Sequence, residues 1–140
     1  FTYNKKQALL DNSKQQGEVF IKHTAMIQKA LAPLKEYHKK RIDALLWIIG
    51  DSEEDQEYYV DAVAKVISQY RRMEYIGSTT PIILCEVSDT GLLKSTRTMP
   101  VIDASLFTDT VDDVKFISSE GHRQLGTECF KVFRKVSSSG

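Results

Sequence analysis

Apolar residues recur at helical spacing through the first half of the chain. From Glu18 onward, Phe20, Ile27, Ala30, Leu31 and Leu34 lie three, four or seven positions apart, and Ile42, Leu45 and Ile49 continue the stripe. Pro33 falls inside the pattern, where proline removes a donor and crowds the preceding turn. The stripe crosses Pro33 without changing phase. The pattern therefore predicts one long kinked helix at about 18–49, in preference to two helices joined near Ala32. Gly17 interrupts the pattern upstream, so residues 1–17 read as an arm with at most a short helical turn from Lys5 to Leu10.

The stretch from Ala44 to Tyr59, ALLWIIGDSEEDQEYY, joins an apolar run to a glycine and an acidic cluster. Gly50 stands where helices commonly end in a left-handed residue. Asp51 and Ser52 are favoured N-caps, and Glu54 and Asp55 follow each by three, as in a capping box. Tyr59, Val63, Val66, Ile67 and Tyr70 then share one face of a second helix at about 53–76. The stretch is expected to be the turn of a helical hairpin. A calcium loop does not fit: counted from Asp51, the sixth position is Gln56 instead of glycine and the twelfth is Ala62 instead of glutamate.

After Gly77 the signature changes to branched residues and turn signals. PIILCEV (Pro81 to Val87) reads as a strand, SDTG as a turn, and LLKSTRTM as its returning partner. VIDASLF extends or crosses over, and TDTVDD reads as an acidic loop. VKFIS (Val114 to Ser118) reads as a strand, SEGHRQLG as a loop, and TECFKVFRKV (Thr127 to Val136) as the last strand. Helices first and strands second imply an α+β fold: an N-terminal helical hairpin packed on a C-terminal antiparallel sheet of about four strands. One domain is expected over 1–136, with 137–140 a frayed tail or tag remnant.

Composition adds limits. Apolar residues make up 41% and charged residues 27%, an ordinary globular mixture. The longest strongly apolar run, Ala44 to Ile49, is far short of a membrane span, and no signal peptide is visible. The first residue is Phe1 rather than Met, so the chain is expected to be a fragment or a processed product from which an anchor or second domain could have been removed. Two cysteines, Cys85 and Cys129, could form one disulfide, but the pattern is not that of a disulfide framework, so the compartment stays open.

Net charge is zero, against a mainly electrostatic nucleic-acid binder. Charge is still unevenly spread: residues 1–50 hold nine Lys or Arg against four acids, and residues 51–62 hold six acids and no base. Lys39, Lys40 and Arg41 in KEYHKKR, with Arg71 and Arg72 in YRRMEY, are the residues that could meet phosphates or an acidic partner. On antiparallel helices the two clusters would lie at opposite ends, so a nucleic-acid face is an alternative and not the first reading.

Catalytic signals are thin. GHRQLGTE superficially has the glycine spacing of a phosphate-binding loop but lacks its lysine. Cys85 and Cys129 lie in apolar runs where free cysteine behaves as a small hydrophobe. His23 and His38 are assigned to helix, leaving His122 as the one loop histidine to test. Asp112–Asp113 and Glu53–Glu54 are sequence neighbours whose side chains diverge, so they read as solvated loop or cap residues. No metal site and no cofactor are expected, and binding is expected ahead of catalysis.

Leu46 and Trp47 sit in a segment apolar almost all round, which implies cover on more than one side. The expected function is a non-enzymatic protein-interaction or assembly module that self-associates through its helical half at Leu46 and Trp47. The alternatives are a nucleic-acid-binding domain using the basic clusters, and a small-ligand or enzymatic domain with a pocket between helices and sheet.

Overall fold

Where the chain runs apolar without a break, it forms strands. A computed structural model describes residues 18–34, 41–49, 56–87 and 91–138. In chain order these form helix α1 (Glu18–Leu31), strand β1 (Leu45–Ile49), helix α2 (Gln56–Arg71), strands β2 (Ile82–Glu86) and β3 (Val101–Asp103), a 3-10 turn (Ala104–Phe107), strands β4 (Thr108–Val111) and β5 (Val114–Ile117), and helix α3 (Ser119–Ser138). The chain divides into two compact units, residues 1–43 with 54–78 and residues 44–53 with 79–140.

The α+β class stands, but its arrangement is corrected. Among the described residues of the expected 18–49 helix, helix covers Glu18–Leu31, and Leu45–Ile49 is a strand. Five consecutive apolar residues, LLWII, match the unbroken hydrophobic run of a parallel strand as well as they match a helical stripe, and periodicity alone does not separate the two. The second helix forms within its expected span, at Gln56–Arg71. Because a strand precedes it, the stretch around Gly50 is not a turn between two helices; residues 50–55 themselves lie outside the described part.

The expected antiparallel sheet is also corrected. β1, β2 and β3 form a three-stranded parallel sheet in the order β1-β2-β3, and β4 and β5 form a separate antiparallel pair. LLKSTRTM does not return as a strand. Its polar side chains engage the backbone instead: Met99 N–H donates to Thr96 Oγ1 and Val101 N–H to Ser95 Oγ, local bonds that compete with a ladder. TDTVDD is not a loop but β4 and the turn after it.

SEGHRQLG and TECFKVFRKV, expected as loop and strand, form one helix, α3. Its inward residues Leu125, Cys129, Val132 and Phe133 follow three- and four-residue steps that the alternation of Cys129, Phe130, Val132 and Phe133 conceals. Ser118 caps the helix, its Oγ accepting from Gly121 N–H at 3.0 Å.

In the second unit the core lies between β2 and α3. Ile83 and Cys85 project from one face of β2 to meet Ala104, Leu125 and Cys129, with Ile102, Phe107, Ile117, Val132 and Phe133 around them. Ile82 and Leu84 on the other face of β2 are also fully buried, as expected for the middle strand of a parallel sheet. In the first unit, Phe20 and His23 of α1 pack edge-on against Tyr70 of α2.

Candidate functional site

Two features of the second unit could meet another molecule. The first is the free side of β1. Leu45 N–H donates to Pro81 O and Val87 N–H donates to Ile49 O, so Leu45, Trp47 and Ile49 turn their backbone toward β2. Leu46 and Ile48 turn theirs the other way, and no strand pairs with that side among the described residues. The side chains of Leu46 and Ile48 share one sheet face and are 55% and 46% exposed. In register beside them, Ile83 and Cys85 carry the same face under α3 and are sealed from water. The cover over β2 thus stops short of β1.

The second feature is the carboxyl end of the sheet, where Ile49, Glu86 and Asp103 stand side by side in register. Glu86 is the one buried charged residue among those described, at 3% exposure. Asp103 Oδ1 accepts from Ser105 N–H at 3.0 Å and from the Ser105 hydroxyl, which closes the 3-10 turn. α3 starts close by, because Gly121 in its first turn abuts the Phe107 carbonyl.

The residues singled out from sequence fall as follows. Leu46 and Trp47 belong to β1, not to a helix; Leu46 is exposed and Trp47 half-buried. The basic residues Lys39 and Lys40, and His38, lie outside the described residues. Arg41 is exposed and ion-paired with Asp43 at 3.0 Å. Arg71 Nη1 donates to Gly77 O at 2.8 Å, and partial burial lowers its pKa. Arg72 is exposed at the end of α2.

His122 is on α3 instead of a loop, its Nδ1 3.0 Å from Ser118 O. Asp112 and Asp113 form the β4–β5 turn with φ of 50° and 62°. The cysteines, far apart in sequence, come together with Sγ atoms 3.5 Å apart. Sequence reasoning missed Glu86 and left a pairing of the two cysteines open. Glu86 ends the PIILCE strand, a position whose meaning depends on knowing that the sheet is parallel.

Among the described residues no group of three or more His, Cys, Asp or Glu is placed to hold a metal ion, and no helix is long and apolar enough to cross a membrane. No protein-family model, curated protein or solved structure matches the chain.

Proposed function

We propose that this chain is a protein-interaction module that self-associates by pairing β1 with β1 of a second copy. The supporting observation is the exposed pair Leu46 and Ile48 on a strand edge whose backbone also points outward. Open apolar edges are templates for another strand, and parallel sheets normally have both faces covered. A second copy suits this edge because LLWII carries no charge, so two copies meet without repulsion, and the chain's formal net charge is zero.

Antiparallel pairing about a two-fold axis at Trp47 sets Leu46 opposite Ile48 of the partner, and the reverse. Each such pair exchanges two backbone hydrogen bonds. These backbone hydrogen bonds, the two apolar cross-strand pairs and the apolar surface they cover oppose the association cost. The dimer is accordingly weak and is sought at high chain concentration.

Sedimentation velocity from low to high micromolar concentration tests this. A concentration-dependent dimer that Leu46→Lys with Ile48→Lys abolishes supports the proposal. A monomer throughout that range and up to about 1 mM would sink it.

A second reading is favoured by Glu86. In parallel α/β sheets ligands bind beyond the carboxyl ends of the strands, where Glu86 and Asp103 stand. Glu86 and Asp103 would accept hydrogen bonds from a hydroxyl- or amine-bearing small molecule. A panel of sugars and amines should then raise the melting temperature of the wild type and not of Glu86→Gln; no shift with any of them removes this reading.

A further inference from the structure

The cysteine contact is independent of either proposed function. Cys85 lies on β2 and Cys129 on α3, 44 positions apart, and their sulfurs approach to 3.5 Å within the core of the second unit. Both are free thiols. They are the only two cysteines of the chain, so neither has a competing partner within it.

We infer that Cys85 and Cys129 are an intrachain redox pair, which a small peroxide converts into a disulfide tying β2 to α3. The thiolate of Cys129 attacks one peroxide oxygen, the O–O bond breaks, and a sulfenic acid forms with release of hydroxide. The Cys85 sulfur then attacks the sulfenic sulfur, its proton leaves with the departing hydroxyl, and water is released. In total, two thiols lose two electrons, one peroxide gains them, and two waters form.

The geometry supplies order and rate. Cys85 is 1% exposed and Cys129 5%, so oxidant reaches Cys129 first when α3 opens locally. Burial, then the nearby Cys129 charge and hydrogen bond, push the Cys85 thiol up to about 12, which fits the role of second attacker. The reaction is slow in the closed state and follows the opening of α3. Once formed, the bond closes a long loop and holds the helix on the sheet.

Hydrogen peroxide treatment of the full chain, quenching, alkylation under denaturing conditions and peptide mapping test the pair. The expected result is an intact mass lower by two hydrogens, a linked Cys85–Cys129 peptide and reversal by dithiothreitol. The melting temperature rises by roughly 5–15 °C before reduction. Cys129→Ser and Cys129→Ala should each give no linked peptide. Complete alkylation of both cysteines after oxidation would overturn the inference, as would sulfinic acids on separate cysteines or links only between chains. The wild-type map decides even if neither variant folds.

Discussion

Gly121 shows how one missing side chain sets a helix against its support. A Cβ there would sit 2.2 Å from the Phe107 carbonyl oxygen and 3.1 Å from Ile117 Cγ2. The first of these is backbone and cannot swing aside. Gly121→Ala should therefore destabilise the chain by about 1–3 kcal/mol despite alanine's better helix propensity, measured as a lower urea midpoint with an unchanged slope.

His23 offers a second test at this scale. The Tyr70 hydroxyl lies 2.6 Å from His23 Nδ1 and donates to it when the neutral ring carries its proton on Nε2. Burial lowers the His23 pKa below 6.5 and raises Tyr70 to about 12. Between the lowered folded pKa and 6.5, the unfolded chain takes up a proton that the folded chain refuses. Stability contributed here is thus present above 6.5 and lost as pH falls toward the folded pKa. Melting temperatures from pH 7.5 down to 5 should fall more for the wild type than for His23→Gln. Equal falls would show that the proton uptake occurs elsewhere.

At the scale of elements, the β4–β5 hairpin is held by a turn that its residues fit imperfectly. Positive φ at Asp112 and Asp113 is the mark of the tight two-residue turn that matches strand twist. Aspartate tolerates this region better than most residues, yet glycine is preferred at the second position. Asp113→Gly should stabilise by about 0.5–1 kcal/mol, seen as a small rise in melting temperature. In sequence TDTVDD reads as an acidic loop, because two acids in a row also suit a solvated loop. The α3 segment was misread for a related reason: Thr127 to Val136 satisfies alternation and helical spacing together, and only Leu125 upstream extends the helical series.

At the scale of the whole molecule, the sheet explains why β1 reads as fully buried in sequence yet has an open side. LLWII has the composition of a central strand, but β2 holds the centre and β1 the edge. If a second copy completes the sheet, binding adds stability that grows with protein concentration. The melting temperature should rise between about 5 and 500 µM chain in the wild type and stay constant in the Leu46→Lys, Ile48→Lys variant.

The sequence by itself determined local matters: α2, the strands PIILCE and VKFI, the start of α1, and the absence of a long apolar helix among the described residues. These depend on periodicity, β-branching and caps, which act over a few residues. Only the tertiary structure decided whether LLWII was helix or strand, that β1–β3 run parallel, and that Glu86 ends the middle strand. It also decided that Cys85 meets Cys129. The reason is physical: a short apolar run is stable in either conformation once covered, and the partner that covers it comes from a distant part of the chain.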